Sequence, residues 1–243
     1  MARTERTNVK SLPTKAAIFV DVVIALSAAV VIRDLLARTA VHDYWQFAAY
    51  LLVSVFAARF RVSLPGMTSS MAVNLPFILI AVLELSLPEA LTIAAVSTFV
   101  QCFWTQNGKR NVVQVIFNIC VLVMGTHLTW LTSRYVFHDV ALQITACAAT
   151  ILVANTIPVA AIIGLSERKQ IWATWMQIVQ LTFPYYLIAA GLAALVKLAD
   201  HAVGWQIPLF VLPATLLMYR SFNTYFRQMA EATTKPQAMA AGA

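Results

Sequence analysis

The chain has 243 residues, of which 60% are hydrophobic and 11% charged, against a charged share of about 25% in soluble domains. A soluble fold of this size cannot hide that much apolar surface, so a water-soluble enzyme is excluded, as are intrinsic disorder away from the two ends and collagen-like or low-complexity chains. The net charge of +7 sits in short loops, where it orients a membrane protein and meets anionic lipid head groups rather than nucleic acid.

The pattern predicts an all-α, polytopic helical membrane protein with about eight transmembrane helices and both termini cytoplasmic. A membrane helix needs about 20 largely apolar residues. Such runs occur near 16–36, 44–60, 70–86, 89–106, 111–132, 140–164, 178–198 and 205–223. The first run is longer than the apolar core of a secretory signal and lacks a clean cleavage site, so it is expected to remain as a span. Ser63-Leu64-Pro65-Gly66 separates the second and third runs. Ser86-Leu87-Pro88-Glu89 separates the third and fourth, and in both motifs the proline suits the first turn of a new helix. Residues 168–182 are expected to form an interfacial helix that turns inward near Pro184, or else the start of one long tilted span.

Of the 17 Lys and Arg residues, only Arg33, Arg38, Arg134 and Lys197 fall on the side opposite the termini. That bias places both ends in the cytoplasm and the protein in the cell inner membrane, crossing it many times. Three parts follow. They are a basic cytoplasmic N-terminal segment (1–15), a single transmembrane helical domain (16–223), and a cytoplasmic helix extension with a disordered tail (224–243).

Polar side chains inside spans are costly and need a partner or a task. Asp21 lies about two turns into the first span, on a face with Ala25 and Ala28. It is expected to pair with Arg59, Arg61 or Arg110, or to face a closely packed neighbour. Gln114 and Asn118 share a face of the fifth span with Gly125, and Ser97, Gln101 and Trp104 share a face of the fourth. Asn74 precedes Pro76 and Asn155 precedes Pro158. Proline removes a backbone donor and frees a carbonyl upstream. These seven residues, Asn74, Ser97, Gln101, Trp104, Gln114, Asn118 and Asn155, form the expected ligand-binding set, with interhelical hydrogen bonding as the competing explanation. His127 falls on the other side of its helix from Asn118, and a structural place near the outer interface is expected for it.

The outer loops carry His42-Asp43, His138-Asp139, Asp200-His201, and the pair Glu84 and Glu89. Imidazoles and carboxylates together suit a divalent ion or a pH response. However, Asp43 and Asp139 equally suit helix N-caps, and no metal site is expected. Cys102, Cys120 and Cys147 lie in apolar stretches without a C-x-x-C pair, so they serve as small packing residues. No catalytic signature occurs, so no catalytic residue, cofactor or metal is expected. At the final exit Tyr219, Phe222, Phe226 and Met229 follow heptad spacing. They make either a relay or dimerisation helix or an aromatic belt with Arg220 and Arg227 as anchors.

The order and spacing of Arg59-Phe60-Arg61-Val62-Ser63-Leu64-Pro65-Gly66, Asn74-Leu75-Pro76-Phe77, Leu83-Glu84-Leu85, Pro88-Glu89-Ala90, Val100-Gln101-Cys102-Phe103-Trp104, Gln114-Val115-Ile116-Phe117-Asn118 and Tyr219-Arg220-Ser221-Phe222 resembles the membrane-associated sensor (MASE-type) regions of bacterial HD-GYP and GGDEF signalling proteins. The resemblance covers roughly residues 45–120 and 205–230. It implies a final helix that feeds a cytoplasmic output domain acting on cyclic di-GMP, and the His and Asp metal ligands of such a domain do not occur in this chain. The expected function is therefore a non-enzymatic membrane sensor that binds a small ligand within the bundle and relays to a cytoplasmic partner or a second copy. The alternatives are a small-molecule transporter, the substrate-capture subunit of an energy-coupling-type importer, or a structural subunit of a membrane complex.

Overall fold

The computed structural model describes residues 13–37, 44–63, 70–103, 112–136, 139–203 and 206–241, with side chains placed for all of these except 63, 70–72, 199–203 and 230–241. In chain order the elements are α1 (Thr14–Ala37), α2 (Tyr44–Ala57), β1 (Arg61–Ser63), β2 (Ser70–Ala72), α3 (Leu75–Glu84), α4 (Leu87–Phe103), α5 (Val112–Tyr135), α6 (Val140–Glu167), α7 (Ile171–Val203) and α8 (Ile207–Ala241). The protein is helical, as its composition requires. Four segments are long and apolar enough to cross a bilayer: Thr14–Leu36, Val112–Tyr135, Val140–Glu167 and Ile171–Leu198. They mark it as a membrane protein. The remaining apolar helices α2, α3 and α4 have 14, 10 and 17 residues. At 1.5 Å per residue even α4 reaches only about 26 Å, short of a hydrocarbon core of about 30 Å.

The shortest helix is the most deeply buried. Every residue of α3 from Leu75 to Leu83 is buried, and Phe77, Ile78, Ile80, Ala81 and Val82 have no exposed surface at all. Helices α2, α4, α5 and α7 surround it. A helix apolar on all faces belongs inside a bundle, and α3 is its central rod. By contrast α1 packs mainly on α5 and turns Ile18, Val22 and Leu26 outward, each at least half exposed. Such side chains are at home in lipid.

Local chemistry explains where the elements differ from expectation. The third apolar run does not begin as a helix at residue 70. β1 and β2 pair antiparallel there, with Val62 opposite Met71. The helix starts only at Leu75, where Pro76 occupies the first turn and Asn74 O accepts from the Phe77 and Ile78 amides. Pro184 does not divide the seventh apolar run either. It lies inside one continuous 33-residue helix. Trp175 Nε1 donates to Thr156 Oγ1 of α6 at 3.0 Å, which fastens the start of α7 to the bundle. The interfacial helix expected at 168–182 is therefore the first part of α7. Finally, α8 stays helical through Ala241, where a disordered tail is expected. The Ala-rich stretch after Pro236 has high helix propensity.

The α6–α7 connection is tight. Arg168 takes a left-handed conformation (φ 55°), and the Lys169 amide donates to Gly164 O at 3.1 Å. A Cβ on Gly164 would lie 2.6 Å from Ile171 Cγ1 and 3.1 Å from Lys169 O, so glycine is required for this close approach.

Candidate functional site: a polar cleft at one end of the bundle

The expected ligand-binding residues that are described fall into separate contacts. Asn74 Nδ2 donates to Ser97 Oγ at 2.8 Å, and both residues are buried. Asn155 Nδ2 donates to Tyr186 OH at 2.9 Å, joining α6 to α7. Asn118 Nδ2 reaches Cys102 Sγ at 3.8 Å. Gln101 is half-buried and Gln114 is exposed, while Trp104 lies outside the described residues. The side chains of Asn74, Ser97 and Asn155 thus have partners in neighbouring helices, the competing explanation given by the sequence. Beside them, Tyr185 OH accepts from the Leu75 amide at 3.0 Å, which satisfies one of the orphan donors at the start of α3.

Asp21 is exposed on α1, and among the described residues it makes no ion pair with Arg59 or Arg61. Arg110 lies outside the described residues. Arg61 itself is half-buried in β1, and desolvation lowers its pKa from the ordinary arginine value. On α8, Tyr219 packs its ring 5.2 Å from that of Phe60, and Phe222 packs 6.3 Å from Tyr185. Phe226 is buried, with its ring 5.8 Å from Phe222. Met229 follows, half-buried. α8 packs along α2, α7 and β1, and of the four residues only Phe226 is fully buried.

A different set of polar groups meets at the far end of α3. The closing turn of α3 and the start of α4 meet the C-terminal ends of α1 and α5 around a cleft of about 580 Å³. Its walls include Arg33, Asp34, Glu89, His127, Trp130 and Arg134. Glu89 is there for a local reason. Ser86-x-x-Glu89 is a capping box, and the Glu89 carboxylate reaches back so that Oε2 accepts from the Ser86 amide at 2.8 Å and from the Ser86 hydroxyl. That leaves Oε1, buried and without a partner. Glu89 is 2% exposed and His127 is 6% exposed. His127 Nδ1 and Trp130 Nε1 are likewise buried without partners. The hydroxyls of Ser54 and Thr126 share that condition but lie away from the cleft lining.

The charged groups around the rim are arranged with care. Lys197 of α7 pairs with Glu84 at 3.0 Å, holding the end of α3. Arg134 lays its guanidinium 5.5 Å from the Trp130 ring centre and donates to Leu85 O at 3.4 Å. Asp34 and Arg33 act electrostatically on His127 from α1. Chemically the cleft offers a carboxyl oxygen, an imidazole nitrogen, an indole donor and two guanidinium groups. Among the described residues no three His, Cys, Asp or Glu are placed to hold a metal ion.

Of the outer His/Asp pairs, only Asp139 is described with its side chain, and it caps α6 by accepting from the Leu142 amide at 3.0 Å. His42, Asp43 and His138 lie outside the described residues, as do the side chains of Asp200 and His201. The sequence marks Glu89 as an outer-side carboxylate but gives His127 only a structural place. The Ser-x-x-Glu spacing is the signal that locates the site, because it fixes a carboxylate at a helix start next to the cleft. No family model, curated protein or solved structure matches this chain.

Proposed function

We propose that this protein is a multi-pass inner-membrane sensor, its eight helices crossing or entering the bilayer and both termini in the cytoplasm, that binds a small polar ligand in the α1–α3–α4–α5 cleft. The observation that carries this reading is the convergence of three buried, unpartnered polar atoms, Glu89 Oε1, His127 Nδ1 and Trp130 Nε1, on one cleft. An unsatisfied buried polar group costs about 1–3 kcal/mol. A bound molecule that satisfies all three recovers that cost, and this is the usual logic of a ligand site.

The relay follows from α3. Its C-terminal end, Glu84 and Leu85, lines the cleft. Its N-terminal amide at Leu75 is held by Tyr185, whose ring abuts Phe222 of α8. A ten-residue helix packed on every side is stiff, so a shift at the cleft is carried about 15 Å along the rod to α8. From there α8 leads toward a cytoplasmic partner, as the resemblance to membrane-associated sensor regions also implies.

Native mass spectrometry of the purified full chain tests the site. Wild type is expected to carry a small-molecule adduct that Trp130→Phe and Glu89→Gln lose. Equal adducts in all three overturn the assignment. Flux of that molecule in proteoliposomes would instead assign the cleft to transport.

A further inference from the structure

We infer that the cleft takes a small zwitterion, a molecule joining a primary ammonium to a carboxylate or phosphate, with the ammonium on Glu89 Oε1 and the anion facing Trp130 Nε1, Arg134 and Arg33. The inference rests on the reading of the cleft as a ligand site and specifies its chemistry.

Glu89 sets one pole of the cleft. Both hydrogen bonds to its carboxylate fall on Oε2, leaving Oε1 bare at 2% residue exposure. A buried carboxylate oxygen calls for a cation or a strong donor. The described residues do not supply one. Among the described residues Glu89 forms no ion pair, and the lysine in this region, Lys197, is committed to Glu84. A ligand ammonium, compact and with three donors, matches this acceptor.

The opposite pole is equally specified. Trp130 Nε1 is a donor only, buried and unpartnered, so it asks for an acceptor. Arg134 stands over the same indole and spends one terminal nitrogen on Leu85 O. Among the described residues neither Arg134 nor Arg33 is paired with a carboxylate. A guanidinium fork matches carboxylate or phosphate with two parallel hydrogen bonds. A simple cation would meet repulsion from the two arginines, and a simple anion from Glu89 and Asp34. A molecule with both poles meets neither. The cleft volume of about 580 Å³ lies within the range of small-molecule sites.

Two sources share this chemistry, a free amino acid and the head group of a phospholipid such as phosphatidylethanolamine. The full chain is purified in an uncharged maltoside detergent and its thermal unfolding followed with five probes. β-Alanine and O-phosphoethanolamine carry both poles, while ethanolamine, acetate and inorganic phosphate carry one. Both two-pole probes are expected to raise the unfolding midpoint in a saturable way, and the one-pole probes to leave it in place. Glu89→Gln keeps an acceptor for the Ser86 amide but loses the charge, and is expected to weaken the apparent affinity about tenfold, the loss of one charge-assisted contact. Arg134→Gln is expected to do the same, and Arg134→Lys to restore part of it.

Nanodiscs separate the sources. If the ligand is the lipid, discs containing phosphatidylethanolamine stabilise wild type over discs of phosphatidylglycerol alone, and Glu89→Gln erases the difference. If it is a free amino acid, the discs behave alike and β-alanine still acts. Ethanolamine acting as strongly as β-alanine would overturn the zwitterion while leaving the cleft a ligand site. An absent response to both two-pole probes, or equal responses in wild type and Glu89→Gln, would also overturn it. The adduct experiment judges the cleft itself.

Discussion

The two ends of α3 carry polar groups under opposite conditions. At the N-terminal end Asn74, Ser97 and the Leu75 amide have partners within the chain. Asn74 holds Ser97, and Tyr185 holds the Leu75 amide. At the C-terminal end, around the turn into α4, Glu89, His127 and Trp130 each keep a buried atom bare. In a low-dielectric interior the first arrangement fixes a fold and the second invites a molecule. Presence of polar residues in a membrane helix therefore does not distinguish structure from binding. The state of their hydrogen-bonding atoms does.

Substitutions at the two ends should separate in kind as well as size. The largest loss is expected at Lys197→Met, which removes the ammonium paired with the largely buried Glu84 carboxylate at the end of α3. Chemical unfolding should show about 3 kcal/mol of destabilisation, and adding Glu84→Gln should recover much of it. Next comes Tyr185→Phe, which leaves the Leu75 amide without its acceptor and should cost about 1–2 kcal/mol. The same variant should uncouple cleft occupancy from the accessibility of a cysteine placed at Asn223 on α8. Asn155→Leu removes one interhelical bond to Tyr186 and should cost only about 0.6 kcal/mol. Trp130→Phe deletes an orphan donor and trims a ring packed on the core, and should cost unliganded stability less than Tyr185→Phe while abolishing the adduct. If Trp130→Phe destabilises as strongly as Tyr185→Phe, the contrast between the two ends fails.

The long helices were legible because their apolar runs exceed any competing signal. The runs at 16–36, 111–132 and 140–164 match α1, α5 and α6 to within three residues. The β1–β2 hairpin was not legible, since its three-residue strands lie within and beside apolar runs that read equally as helix. Pro184 misled for a different reason. A proline inside a helix costs one backbone hydrogen bond, and packing of α7 against α3 and α6 outweighs that. The cleft was only half legible. Glu89 carries a local spacing signal, but His127 joins it through tertiary packing alone, from a helix that begins 23 residues later. Asn74 and Ser97 stand out in the sequence as polar groups within apolar runs, and in the structure they hydrogen-bond to each other.

The close approach at Gly164 also bears on how α6 and α7 are held. With only residues 168–170 between them, α6 and α7 have no slack at this corner. A side chain at position 164 would push Ile171 and the Lys169 carbonyl away and wedge the two helices apart where they are tied most tightly. The corner therefore acts as a fixed pivot, and the angle between α6 and α7 is set by one missing methyl group.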